Sequence, residues 1–158
     1  AAAAEAAAGD RLITLGLRPT RPDTGYGYVQ PQGDGLSPAR FVEKPSAEAA
    51  PGLIAGGALW NSGMLIGRPS VLVEELRRHA PELLDSVRAA VPTDLAEEAL
   101  DPVFSAAPRI SIDYALLEKS DRVWVLPVDF GWSDVGGWDA VAEVLGDTDR
   151  APNWIDAD

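Results

Sequence analysis

The spacing of apolar and polar positions changes several times along the chain, and the changes mark strands and helices in alternation. Arg11-Leu12-Ile13-Thr14-Leu15-Gly16-Leu17 is an almost unbroken apolar run closed off by Pro19, which predicts a strand buried in a sheet. Thr24 to Tyr28 follow as turn and strand. Pro31-Gln32-Gly33-Asp34-Gly35 gathers turn-forming residues and predicts a hairpin tip, from which the chain returns along a strand at Ala39 to Val42. Such a hairpin brings Gly27 near Glu43. Gly56 to Gly67 mixes bulky apolar residues with glycines, the composition of a strand whose backbone lies against a ligand. From Ser70 the period lengthens. Val71, Leu72, Leu76, Leu83, Leu84 and Val87 fit helices, with Ser70 as N-cap of the first, Pro81 opening a second, and Asp94 with Glu97 at capping-box spacing for a third. Ser111 caps a short helix over Ile112 to Glu118. A strand over Val123 to Val128 and a last helix over Trp138 to Leu145 complete the pattern, which defines an α/β fold with a mixed sheet and flanking helices. Ahead of all this, Ala1 to Ala8 reads as the end of a helix broken at Gly9-Asp10.

Composition narrows the function. At 158 residues and 46% hydrophobic the chain suffices for one core, so residues 1–158 are expected to form a single domain with a helical segment at 68–107. A formal charge of −12, with the basic residues scattered, opposes binding to a nucleic-acid backbone. The absence of cysteine removes disulfides, thiolate nucleophiles and cysteine-bound zinc, and is compatible with a reducing cytoplasm. No stretch approaches the roughly 20 apolar residues that span a bilayer, and the alanine-rich start lacks the basic leader of a signal peptide.

Two short segments carry candidate chemistry. Phe41-Val42-Glu43-Lys44-Pro45 sets a carboxylate and a cation at a strand exit, where Glu43 can accept hydrogen bonds from sugar hydroxyls and Lys44 can pair with a phosphate. Gly131-Trp132-Ser133-Asp134-Val135-Gly136 sets Asp134 among small residues that let a cation and its phosphates approach the backbone. The plainer alternatives are a helix N-cap for Asp134, a solvated ion pair worth about 0–1 kcal/mol for Glu43 and Lys44, and turn-forming roles for Asn61 and Gly27. Asp113 is a further candidate for substrate binding, the alternative being an acid that favours the first turn of its helix. His79, beside Arg77 and Arg78, is expected at the surface. Trp60, Trp124 and Trp138 are expected in the core, and Trp132 at the border of the ligand.

Five ordered stretches, Leu15 to Tyr28, Phe41 to Pro45, Trp60-Asn61-Ser62-Gly63-Met64, Ser111-Ile112-Asp113-Tyr114-Ala115 and Gly131 to Trp138, together resemble the mannose-1-phosphate guanylyltransferases. The resemblance runs from about Arg11 to Leu145. It implies a Rossmann-like nucleotidyltransferase core, magnesium as cofactor, GTP and mannose 1-phosphate as substrates, and GDP-mannose and pyrophosphate as products. It also implies that Glu43 and Asn61 bind mannose hydroxyls, that the Gly27 backbone approaches the ring, that Lys44 holds the phosphate, and that Asp134 is a metal ligand. The glycine-rich, arginine-containing loop with which the family holds the triphosphate is not found before Arg11, so the chain is expected to be the sugar-phosphate part of the enzyme, inactive alone. Two departures are small: Gly137 replaces a hydroxyl residue, and Ser46 stands where an acid is common. Rivals are a uridylyl- or thymidylyltransferase acting on another sugar 1-phosphate, and a non-catalytic binding or assembly module whose Ser70 to Ala107 helices present a face to a second copy. Without the nucleotide half, one edge or face of the sheet is expected to be exposed.

Overall fold

The computed structural model describes residues 9–90, 105, 107–138, 140 and 141, and the chain divides into two compact units, Ala1–Val128 and Asp129–Asp158. Among the described residues the first unit holds five strands: β1 (Leu12–Leu17), β2 (Tyr28–Pro31), β3 (Ser37–Val42), β4 (Leu59–Gly67) and β5 (Val123–Val128). Its helices are α1 (Ala49–Ala55), α2 (Pro69–His79), α3 (Pro81–Ala90) and a single π-helical turn at Asp113–Leu117.

The strands form a mixed sheet, as the alternating pattern implies. β1 is buried because it lies between two neighbours, antiparallel to β4 and parallel to β5. The hairpin β2–β3 turns at Gln32 to Leu36, with Gly35 at φ +62°, a conformation glycine adopts without a Cβ penalty. β2 begins only at Tyr28, so the preceding residues are loop and not strand. Pairing continues from β2 to β4 and from β3 to β5, closing the ring β1-β4-β2-β3-β5. An exposed sheet edge is therefore not what the described strands leave: β5 runs beside β1 and also touches β3, though only through Ser37↔Val125 and Pro38↔Trp124. Ile110, Ile112 and Tyr114 are exposed, but they lie before and within the π turn and not on the sheet.

One side of the sheet packs on α2 and the π turn through Leu12, Val29, Phe41, Val71, Leu116, Leu117, Val123 and Val125. Full burial of an aliphatic side chain such as Val71 contributes about 1.5–3 kcal/mol. A second cluster joins Tyr28, Ala50, Ala58 and Trp60. Ala50 belongs to α1, a helix the sequence pattern does not announce, since it contains Pro51 and Gly52. Its start is held by Ser46, whose carbonyl accepts from the Ala49 and Ala50 N–H groups. Gly56 and Gly57, assigned above to a strand, instead end α1, with Gly57 at φ +82° and its N–H donated to the Ile54 carbonyl.

Other expectations shift locally. Ser70 is not the N-cap of α2: Arg68 takes that position and Pro69 begins the helix, where its missing N–H costs nothing. Pro81 does open α3. The short helix after Ser111 is a π turn, with the Ser111 carbonyl accepting from Ala115. His79 is not at the surface but half-buried, its Nε2 3.3 Å from a carboxylate oxygen of Glu75 in the next turn down. The geometry is off for a hydrogen bond, so His79 Nε2 is left unsatisfied. Glu75 is itself buried and is satisfied by Ser120 Oγ and, at 3.4 Å, by Arg122 Nε, which tie α2 to the start of β5. Trp60 is buried and Trp124 half-buried under the Arg11 guanidinium, but Trp138 is 88% exposed. The Ala1 to Ala8 helix and the Asp94 to Glu97 cap lie outside the described residues. So does most of the last helix. No helix among the described residues is long and apolar enough to cross a membrane.

Candidate functional site

In the first unit the site grows around Gly27. The register Tyr28↔Val42 sets the residue before Tyr28 against the residue after Val42, so Gly27 and Glu43 face each other at the end of the hairpin. A Cβ on Gly27 would lie 2.6 Å from Glu43 Oε2 and 2.9 Å from Phe41 Cζ. Only a glycine leaves room there for the carboxylate and the ring. On its other side, the Gly27 carbonyl accepts the Asn61 N–H at 2.8 Å, which brings β4 to the same point.

Glu43 is held on several sides. Its N–H donates to Glu118 Oε1 at 2.8 Å, and its Oε1 lies 3.5 Å from Lys44 Nζ. Burial pushes its carboxyl above the ordinary carboxylate range, and the nearby charges of Asp113 and Glu118 push the same way against the opposing pull of Lys44. Asp113 and Glu118 bracket the π turn, so this turn delivers negative charge to Glu43 from both ends. Lys44 has φ +43°, an uncommon conformation for a side-chain-bearing residue, and its side chain is 59% exposed. The strand exit thus presents a cation outward and keeps the carboxylate in.

Asn61 stands where β4 departs from regular pairing. Thr14 pairs with Leu65 but Gly16 pairs with Asn61, so two steps along β1 correspond to four along β4, with Gly63 at φ +76° in the irregular stretch. The Thr14 hydroxyl donates to Asn61 Oδ1. The loop between β1 and β2 is pinned from below: the buried Tyr28 hydroxyl donates to the Asp23 carbonyl at 2.9 Å and accepts the Asp23 N–H at 3.0 Å. Asp23 in turn pairs with Arg21 at 2.9 Å, and Arg21 lies over the Trp60 ring. Sequence reading missed Thr14, Arg21 and Glu118. Only the Asp23-Thr24-Gly25 turn, in which Asp23 Oδ1 accepts the Gly25 N–H, left a local signal.

Five of the six sequence candidates, Gly27, Glu43, Lys44, Asn61 and Asp113, therefore lie in one neighbourhood of the first unit. Asp134 belongs to the second unit. There, Ser133 Oγ accepts the Val135 N–H at 3.2 Å, Val135 has φ +51°, and a Cβ on Gly136 would lie 2.6 Å from Asp134 Oδ2. The Val141 N–H is donated to the Gly137 carbonyl, so the helix starts after Gly137 and Asp134 is not its N-cap. Asp134 is an exposed carboxylate, a hard oxygen donor suited to magnesium. Among the described residues no group of three or more candidate ligands forms a complete metal cage. Beside β3, a groove of about 320 Å³ lined by residues that include Arg40, Phe41, Glu118 and Lys119 shares two residues with the Glu43 surroundings.

The sheet collects a carboxylate, a cation and a fixed amide at its strand ends, and the chain belongs to the nucleotidyl transferase family, whose model matches residues 1–150. Within that family its resemblance is to mannose-1-phosphate guanylyltransferases. It is 46% identical over 146 residues to the one from Sinorhizobium fredii, covering 86% of this chain and 28% of that protein. The Escherichia coli K12 enzyme of the same name is 38% identical over 152 residues, with 87% of this chain and 32% of that protein covered. A crystal structure described as mannose-1-phosphate geranyltransferase from Thermus thermophilus superposes with a TM-score of 0.76 at 37% identity, covering 96% of this chain and 44% of that one. The chain thus spans about a third or less of the length of these curated relatives.

Proposed function

We propose that this chain is the sugar-phosphate-binding part of a mannose-1-phosphate guanylyltransferase with a Rossmann-like core, which makes GDP-mannose and pyrophosphate from GTP and mannose 1-phosphate. The observation that carries the reading is the meeting of Glu43, Lys44, Gly27 and Asn61 around one strand end, in a chain whose relatives bear that name. The nucleophile in such a transfer is a phosphate oxygen, ionised at neutral pH because its second pKa is about 6, so no general base is required. What the protein supplies is position and charge.

Lys44, exposed and fixed by its backbone conformation, clamps the sugar phosphate. Glu43 accepts hydrogen bonds from mannose hydroxyls, with Asn61 beside it and Asp113 behind it, and the Gly27 backbone leaves the ring space to approach. Asp134 contributes one carboxylate to magnesium, which keeps several waters and takes few protein ligands. When bound, the ion offsets negative charge as pyrophosphate departs. A cysteine-free chain and a nucleoside triphosphate substrate both suit the cytoplasm.

The test is the full-length enzyme assayed with mannose 1-phosphate and GTP against glucose 1-phosphate with UTP or dTTP. GDP-mannose synthesis is the expected result; a preference for glucose 1-phosphate would overturn the reading. The isolated 158-residue chain should release no pyrophosphate from the same substrates.

A further inference from the structure

We infer that Thr14 is a positioning residue that holds the Asn61 side chain in place for the sugar, an inference that rests on the proposed function. Thr14 is buried, 1% exposed, in the middle of β1, and its hydroxyl donates to Asn61 Oδ1. A hydroxyl can donate or accept, so the bond to Thr14 fixes where the Asn61 side chain lies, and in the structure it is Oδ1 that meets Thr14. Asn61 N–H is also committed, to the Gly27 carbonyl at 2.8 Å, so both the backbone and one end of the side chain are fixed. Nδ2 is what remains.

The site then has a definite polarity. Glu43 is an acceptor, so a sugar hydroxyl meeting it must donate. Asn61 Nδ2 is a donor, so a hydroxyl meeting it must accept. A pair of neighbouring hydroxyls, one donating to Glu43 and one accepting from Asn61, satisfies both, and the hydroxyl of the buried Thr14 holds the second half of that arrangement in place. The irregular stretch of β4 around Gly63 is what brings Asn61 opposite Gly16 and within reach of Thr14. The ligand this arrangement fits is a sugar phosphate with neighbouring hydroxyls.

The experiment compares Thr14→Val and Thr14→Ser in the full-length enzyme, measuring KM for mannose 1-phosphate, KM for GTP, kcat and Tm. Valine keeps the shape and loses the hydroxyl; serine keeps the hydroxyl. Thr14→Val should raise KM for mannose 1-phosphate about tenfold with kcat and KM for GTP within about twofold of wild type, and Thr14→Ser should stay within about twofold throughout. A Thr14→Val enzyme with unchanged KM for mannose 1-phosphate, or one in which both KM values rise together, overturns the inference. If Thr14→Val does not fold, Thr14→Ala read against Thr14→Ser decides: it also deletes the hydroxyl, so KM for mannose 1-phosphate must rise with KM for GTP unchanged, and an unchanged KM for mannose 1-phosphate overturns the inference. A wild-type enzyme that makes no GDP-mannose removes the functional reading and this one together, whereas an active wild type with a silent Thr14→Val removes this one alone.

Discussion

Adding a single methyl group at Gly27 tests the centre of the site. The backbone of Gly27 is outside the left-handed region, so Gly27→Ala meets no conformational barrier, and any cost comes from space. The new Cβ would lie 2.9 Å from Phe41 Cζ, about 0.6 Å inside the closest favourable carbon–carbon separation, and 2.6 Å from Glu43 Oε2. Phe41 is 4% exposed and locked in the core, so it has little freedom to retreat. Glu43 can move only by giving up its place over Gly27. Overpacking of this kind costs about 1–3 kcal/mol, offset by about 0.4–1 kcal/mol from the smaller entropy of the unfolded alanine chain. A net loss of about 1–2 kcal/mol corresponds to a Tm lowered by about 2–8 °C in a chain of this size. Thermal unfolding of the purified protein reads it directly, and KM for mannose 1-phosphate in the full-length enzyme should rise with it. The same substitution in a Glu43→Ala background should cost less by at least about 0.5 kcal/mol, because one of the two collisions is gone. An unchanged Tm, or an equal cost with and without the Glu43 carboxylate, would show that Gly27 serves only the turn.

Three further outcomes are expected together. Asp134→Asn removes the charge while keeping the size, and should cut turnover in the full-length enzyme by orders of magnitude with the fold intact; near-normal turnover with unchanged magnesium dependence would refute the metal assignment. Lys44→Gly should relieve the left-handed backbone by about 1 kcal/mol and raise Tm while weakening mannose 1-phosphate use, and a lowered Tm would show that the conformation is not strained. For Glu43 the carboxyl sits above its ordinary range in the folded protein, so the native state holds its proton more tightly than the unfolded state does. That group's contribution is therefore most favourable at low pH and is lost as pH rises through the ordinary carboxylate value to the raised one. Glu43→Gln should flatten this slope and leave the protein at least as stable as wild type at neutral pH, at the expense of sugar binding; a steeper pH dependence in the variant would count against it.

How much of this could be read in the chain follows from how far apart the determining residues are. β1 and β5 are legible as apolar runs, and the β2–β3 hairpin by the turn-forming residues Pro31-Gln32-Gly33-Asp34-Gly35 at its tip. α1 is not, since seven residues including Pro51 and Gly52 have little helical preference of their own and form a helix because Ala50 packs against Tyr28 and Trp60. Ring closure is equally hidden: β3 meets β5 through two residue pairs that no local pattern encodes. Trp138 fails for the opposite reason, as its size suggests a core residue while its place gives it none. In the site, Glu43 and Lys44 are visible because the motif keeps them adjacent. Thr14 and Glu118 are not, because they reach Asn61 and Glu43 across 47 and 75 positions of sequence.

The narrow contact between β3 and β5 gives the ring a weak seam. β1 shares six register pairs with β5 and five with β4, whereas β3 and β5 share two, one of them at Pro38, which has no N–H to offer. Opening there sacrifices few hydrogen bonds and leaves the β1 pairings in place, so amide hydrogens shared between β3 and β5 should exchange with solvent well before those of β1. Glu43 follows directly on β3. The Glu43 carboxylate is thus carried at the end of a strand that meets β5 at only two register pairs, with its own N–H braced by Glu118 beside the π turn.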